Sequence, residues 1–225
     1  MDNISNLSDN NYSIVPIAKY TPELTFHSEK APGLERYYSP ELAFHSEKAP
    51  GLERYLKKRA RVEDMINRAR TYLIIDKATK EIAAYFTLKT GLITEPVNFY
   101  HSRSRTWTPI DRDTPFDTIS AIELTNIAVN DLYRKNHPIK ECFMAYLLDQ
   151  FILPIIDIVQ EYIGIERLYL FALPQKRLVN YYEYLGFKKV SFGESCYYNQ
   201  HIRPQYDDHC IFMYAEIPFH NSAHY

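Results

Sequence analysis

Among the side chains able to do chemistry, one carboxylate and one basic turn stand out by their placement. Glu123 sits inside an apolar run, Ile119 to Val129, where a strand is expected. A carboxylate held there can take up a proton directly or through water; the bland alternative is a solvated or salt-bridged side chain. Shortly after it comes Tyr133-Arg-Lys-Asn-His-Pro-Ile-Lys-Glu-Cys-Phe-Met144, a turn with Arg134, Lys135 and Lys140 and no glycine. It reads either as a cationic anion site or as a solvated basic turn. His101, in an irregular stretch, is a second candidate base, although a loop histidine is usually just exposed. No Ser/His/Asp or Cys/His arrangement has a convincing context. Cys142, Cys196 and Cys210 lie far apart, without metal-ligand spacing and too few for a disulfide framework.

These groups need a scaffold, and the composition supplies one. Of 225 residues, 46% are apolar and 24% charged, which suits a globular domain with a real core. The 20 tyrosines suit strand faces and half-buried sites. A formal net charge of −2 lacks the basic excess of a phosphate-gripping surface, so nucleic acid is not an expected partner. The cluster Lys57-Lys58-Arg59-Ala60-Arg61 reads as a solvated helix face. The polar, acidic start MDNISNLSDN is neither a secretory signal nor an anchor. The apolar stretch Phe151 to Val159 is short for a bilayer and contains Asp157. No membrane is expected, and a reducing cytoplasm is the default.

Patterning gives the element order. Leu52 to Arg70 reads as a charged helix with Tyr55, Leu56, Val62 and Ile66 as its apolar stripe. A hairpin follows: Thr71–Asp76, a turn over Lys77–Lys80, and Ile82–Leu88. Residues Gly91 to Asp117, with Pro96, Pro109 and Pro115, read as an irregular insertion. After the strand to Val129, Lys140 to Tyr162 reads as a long apolar helix, kinked at Pro154 and stopped at Gly164. Arg167–Leu173 is a continuously apolar strand. Pro174 opens a helix through Tyr184 that Gly186 ends, and strands follow near Lys188–Phe192 and Cys210–Ile217. The whole is an α/β arrangement, a mixed central sheet flanked by helices.

Residues Tyr20–Tyr37 recur as Tyr38–Tyr55 with two changes, Thr21 to Ser39 and Thr25 to Ala43. Two copies are too few for a repeat architecture and read as a tandem duplication. Only the second copy runs into a helix, so the first is expected to be a surface excursion. Residues 1–48 thus form an N-terminal segment, and 49–225 the main domain with insertion 91–117.

Against this background the run Tyr181-Tyr-Glu-Tyr-Leu-Gly-Phe187 resembles the "FYEKxGF" signature of GNAT N-acetyltransferases. Ile122-Glu-Leu-Thr-Asn-Ile-Ala-Val129 resembles their central strand. Ala49–Leu88 is similar to the helix-plus-hairpin entry of a branch that includes toxins of bacterial toxin–antitoxin pairs. The resemblance spans about Ala49 to Ile217 and implies the GNAT acyl-CoA N-acyltransferase fold.

It also implies a chemistry, transfer of an acetyl group from acetyl-CoA to an amine. In that fold the central strand parts from its parallel neighbour, and main chain here at Ile127 and Val129 pairs with the pantetheine arm. The pyrophosphate rests on amides at the start of the next helix. By position the residues there are Arg134, Lys135, Lys140, Glu141, Cys142, Phe143 and Met144. Family members supply glycines in this turn so that backbone can approach the phosphates, whereas Glu141 and Phe143 replace them here. Side-chain cations are the available compensation. Tyr182 matches the family tyrosine near the thiol and is the candidate general acid, with Glu123 the candidate base. The competing reading is a catalytically inactive GNAT-fold binding or regulatory protein with an antitoxin-like or regulatory protein partner. A tRNA-acetylating toxin would need a broad basic surface.

Overall fold

The turn at Lys77–Lys80 forms for reasons visible in its residues. Asp76 Oδ1 accepts from the amides of Ala78 (2.7 Å) and Thr79 (3.1 Å), and Lys80 takes a left-handed φ of 63°. The side chain thus mimics a backbone turn and the chain reverses, so that strand β2 (Arg70–Asp76) returns as β3 (Ile82–Pro96). The computed structural model describes residues 7, 9, 11–20, 42–47, 49–96, 116–137, 142–190 and 210–217. The other elements are β1 (Tyr12–Pro16), α1 (Pro50–Lys58), α2 (Ala60–Met65), β4 (Phe116–Val129), α3 (Asp131–Asn136), α4 (Phe143–Leu147), α5 (Leu153–Gln160), β5 (Arg167–Ala172), α6 (Lys176–Tyr184), β6 (Lys188–Lys189) and β7 (Ile211–Glu216).

The strands hydrogen-bond in the order β1-β2-β3-β4-β5-β7-β6. β4 and β5 are parallel, whereas β1 with β2, β5 with β7 and β6 with β7 are antiparallel. This is the mixed sheet with helices that the patterning implied. β1, to which the sequence analysis assigned no element, pairs with β2 from Tyr12↔Asp76 to Pro16↔Tyr72. β3 continues to Pro96, past the Leu88 where the sequence pattern ends it.

Two compact units share the chain: Met1–Thr87 with Asn126–Ile152, and Leu88–Thr125 with Leu153–Tyr225. The first packs Phe44, Leu56, Leu73, Tyr85 and Ala128 into one core. The second packs Ile93, Tyr169, Phe171 and Phe212 into another. In it the aromatic rings meet edge-on or tilted at 5.4 to 6.1 Å, the favourable range for quadrupolar pairs.

Two helix expectations are corrected. The helix placed at Leu52–Arg70 is two short helices broken at Arg59, where φ is −119°. Val62 and Ile66, assigned to its buried stripe, are each 56% exposed, while Ala60 and Asp64 are buried. Hydrogen bonding explains the choice: Asp64 accepts from the Thr71 amide (3.2 Å) and from Arg70 Nη1 (3.2 Å), joining α2 to the start of β2. That partnership makes a buried carboxylate tolerable, and fixes which face of α2 turns inward.

The long apolar helix begins at Phe143 rather than Lys140 and contains a π turn, Leu148–Ile152, between α4 and α5. The turn explains how Pro154 is accommodated. Proline cannot donate to the carbonyl four residues back and its ring collides with it, and that residue, Gln150, lies inside the widened turn. Helix α5 ends at Gln160, and Gly164 does not take the left-handed conformation of a helix stop, which among the described glycines Gly186 alone adopts. By length and composition Phe143–Gln160 could cross a membrane. Its residues Leu147, Leu148, Phe151, Ile152, Ile155 and Ile156 are buried in the protein, as in a core helix.

Candidate functional site

Strand β4 sorts its residues by face, as period-two geometry requires. Ile122, Leu124, Asn126 and Ala128 are buried, and Glu123, Thr125, Ile127 and Val129 are half-buried on the opposite side. The candidate base and the two candidate pantetheine residues therefore share one face of one strand. Parallel pairing with β5 comprises Ala121↔Arg167, Ile122↔Leu168 and Glu123↔Tyr169, and β4 then runs on to Val129. Asn126 is 4% exposed, and its Nδ2 finds no hydrogen-bond partner among the described residues. An orphan donor of this kind is uncommon in a finished interior, and this one lies on the face of β4 opposite Glu123.

Within the second unit Glu123 has a built environment. Its side chain is 13% exposed, Tyr169 donates its hydroxyl proton to Oε2 at 3.2 Å, and Lys89 Nζ stands 4.0 Å from the same oxygen. Burial pushes the Glu123 carboxyl above the usual carboxylate range, an effect that Lys89 and Tyr169 offset only in part. Burial, and then the neighbouring carboxylate, hold the Tyr169 phenol protonated. Gly91 completes the arrangement: a Cβ there would lie 2.3 Å from the Tyr169 hydroxyl oxygen and 2.6 Å from its Cε1. Only glycine lets the ring reach Glu123. Tyr169, Lys89 and Gly91 are functional candidates that the sequence reading missed. The usable signal was the parallel register, which sets Tyr169 opposite Glu123 and cannot be read without the pairing.

Tyr182, the candidate acid, lies on α6 in the same unit and is buried. The helix ends where the sequence placed its end. Gly186, with φ of 96°, donates to the Glu183 carbonyl (3.0 Å), and Phe187 donates to the Tyr182 carbonyl (3.0 Å). These two bonds form a Schellman motif, and its customary apolar contact is the edge-on pair of Tyr182 and Phe187, 5.7 Å between centroids. The Tyr181–Phe187 run thus has a structural reason for its spacing. Burial raises the Tyr182 hydroxyl well above the ordinary tyrosine range. No hydrogen bond joins Tyr182 to Glu123 among the described residues.

The first unit holds the described part of the basic turn. Arg134 and Lys135 are exposed on α3, Cys142 is exposed, Met144 is half-buried, and Phe143 is buried. Lys140 and Glu141 lie outside the described residues, as does His101. Phe143 is committed to an aromatic cluster, 5.4 Å from Tyr12 and stacked 5.7 Å from Tyr146. Tyr133 stacks on His137 at 4.4 Å, and His137 Nε2 meets Glu81 Oε2 at 2.6 Å. The His137 side chain is therefore engaged by the surrounding structure. Among the described residues no group of acidic, histidine and cysteine side chains could hold a metal ion.

No protein-family model and no curated protein sequence matches the chain. Solved structures do. A tyrosine-to-phenylalanine mutant of the AtaT toxin, bound to the C-terminus of the antitoxin AtaR and acetyl-CoA, superposes with a TM-score of 0.56 at 12% identity, covering 91% of this chain and 92% of that one. A bacterial toxin gives 0.54 at 16% identity, with 81% and 87% covered. A KacT mutant gives 0.53 at 14%, with 77% and 85% covered. The fold is that of the GNAT acyltransferases. Glu123, Ile127 and Val129 all stand on β4 of this fold. At these identities the likeness carries the fold and leaves activity to be argued from this chain's residues.

Proposed function

We propose that this protein is an acetyl-CoA-dependent N-acetyltransferase acting on an amine. Glu123 carries the reading: a mostly buried carboxylate of raised proton affinity, on the same β4 face as Ile127 and Val129. An amine nucleophile must shed a proton to attack a thioester. Its nitrogen forms the C–N bond as the C–S bond breaks, Glu123 takes the amine proton, and CoA leaves as a thiolate that takes its proton from solvent. A base with a pKa raised toward neutrality is better matched to that task than an ordinary carboxylate. Tyr182, kept protonated, can hydrogen-bond the developing thiolate. Full transfer to a thiolate whose conjugate acid ionises near ~8.5 is uphill from so weak an acid, so its proposed role is mainly electrostatic.

The fit to acetyl-CoA is uneven along the cofactor. The stretch of β4 beyond Glu123, with Ile127 and Val129, suits the amide-bearing pantetheine arm through its main chain. At the diphosphate end Arg134 and Lys135, with Lys140, would supply charge in place of a glycine cradle, beside Glu141, Cys142, Phe143 and Met144. Release of free thiol from acetyl-CoA, followed across a panel of amines, tests the proposal. Glu123→Gln should lower kcat at least about 100-fold, the usual scale of general-base catalysis. An unchanged rate in that variant would remove Glu123 from the chemistry.

One observation favours a second reading, a GNAT-fold binding or regulatory module with a protein partner of the antitoxin kind. Phe143 stands where the sequence resemblance implies a glycine, and its ring is buried against Tyr12 and Tyr146. That reading requires that millimolar acetyl-CoA leave the melting temperature unchanged.

A further inference from the structure

The second copy of the duplicated segment is held by a clamp in the first unit. Asn130, 2% exposed, closes β4 and caps α3, and both ends of its side chain are used. Oδ1 accepts from the amides of His45 (3.0 Å) and Leu132 (3.1 Å), while Nδ2 donates to the carbonyls of Ala43 (2.8 Å) and Ile82 (2.7 Å). Next to it, the Asp131 amide donates to the His45 carbonyl (2.9 Å), and Asp131 Oδ2 accepts from the Glu47 amide (2.8 Å). Residues 43–47 are thus gripped through alternate main-chain groups, as an extended peptide is. Between them the Phe44 side chain fills a single pocket, 1% exposed and edge-on to Tyr85 at 5.1 Å. The segment braces itself, with Glu53 Oε2 accepting from the Ser46 amide (3.1 Å) and meeting His45 Nδ1 (2.9 Å). Tyr85 donates to the Leu52 carbonyl at 2.7 Å.

The residues of this grip recur in the upstream copy, both those used through side chains and those held by main chain after Ala43: Phe26, His27, Ser28, Glu29, Leu34 and Glu35 match Phe44, His45, Ser46, Glu47, Leu52 and Glu53. One of the two differences, Thr25 against Ala43, falls at an exposed position that binds by its carbonyl alone. The other, Thr21 against Ser39, precedes the gripped residues. Main-chain pairing plus one pocket is how strand-type peptide sites generally obtain affinity and selectivity.

We propose that Asn130, Asp131 and Tyr85 form a peptide-binding site for the Phe-His-Ser-Glu segment, and that the upstream copy in the same chain is a competing occupant. The flanks favour the downstream copy. Leu56 follows it into the core at 1% exposure, and Lys57 pairs with Glu53 at 2.9 Å. The corresponding upstream residues are Tyr38 and Ser39, and Pro40 would then end the helix. The upstream copy is accordingly the minor occupant of the full chain, and a lesion confined to the downstream copy promotes it.

The test is a double-mutant cycle in thermal unfolding, on the full chain and on a chain lacking residues 21–38, which joins Tyr20 to Ser39 and keeps one copy. Phe26→Ala alone should leave Tm unchanged. Phe44→Ala should lower Tm by several degrees less in the full chain than in the single-copy chain. Phe26→Ala with Phe44→Ala in the full chain should restore the larger loss. Equal losses for Phe44→Ala with and without Phe26 overturn the proposal, and that comparison does not require the shortened chain to fold. Rescue that grows with protein concentration, together with dimer in light scattering, would assign the occupant to a second molecule and overturn exchange within one chain.

Discussion

The Tyr169 hydroxyl donates to Glu123 Oε2 at 3.2 Å, from the strand position directly paired with Glu123. The parallel register that builds the sheet therefore also equips its half-buried carboxylate with a donor, leaving Lys89 at 4.0 Å as the nearby cation.

Stability should reveal the raised affinity of Glu123 for its proton independently of activity. A carboxyl whose folded pKa lies above its unfolded value binds more protons in the native state between the two. Its stabilising contribution is present below the unfolded value, near ~4.3, and is lost as pH rises through the folded one. Glu123→Gln, which keeps an acceptor for Tyr169, should raise Tm at neutral pH by a few degrees, the scale of ~1 kcal/mol in a domain of this size. The difference should vanish in acid, and melting curves from pH 4 to 8 measure it.

Gly91→Ala should destabilise by about 1–3 kcal/mol, because the new methyl enters space held by the Tyr169 ring. The same change in a Tyr169→Ala background should cost less, since the ring is gone. Chemical denaturation of the four proteins in the cycle reads the coupling.

Gly186→Ala should cost about 1–2 kcal/mol, the penalty for a side chain in a left-handed conformation. Phe187→Ala should cost about 3–5 kcal/mol by emptying the contact with Tyr182. Denaturant midpoints measure both, and a loss of transfer rate beyond the loss of folded protein would show that the contact also positions Tyr182.

Asn130→Ala removes a helix cap worth about 1 kcal/mol and leaves buried main-chain groups unpaired at about 1–3 kcal/mol each. Its cost should therefore exceed that of an ordinary cap. Faster amide exchange at His45, Glu47 and Leu132 would locate the damage at the clamp.

Much of this fold was legible because particular residues act locally. Asp76 and Lys80 make the hairpin turn and Gly186 stops α6, each through its own conformational preference, and the alternation of β4 displays its two faces in one dimension. What escaped depends on partners distant in sequence. Val62 and Ile66 read as a buried stripe, but Asp64 is bound by Thr71 and Arg70 and decides the face of α2 instead. Strand β1, which ends in a proline, is too short to declare itself before β2 is beside it. Pro154 announced a distortion without revealing that a π turn would absorb it. The candidate base was visible as a carboxylate in a strand, whereas its neighbours Tyr169, Lys89 and Gly91 come together only through the sheet.

Titrating the purified protein with acetyl-CoA in a calorimeter tests the proposed activity most directly. A 1:1 isotherm with a dissociation constant in the micromolar range is expected, and at 100 times that constant the ligand should add about 2.7 kcal/mol of stability. Absence of heat together with an unmoved Tm at millimolar acetyl-CoA would contradict the enzyme reading and leave the fold standing.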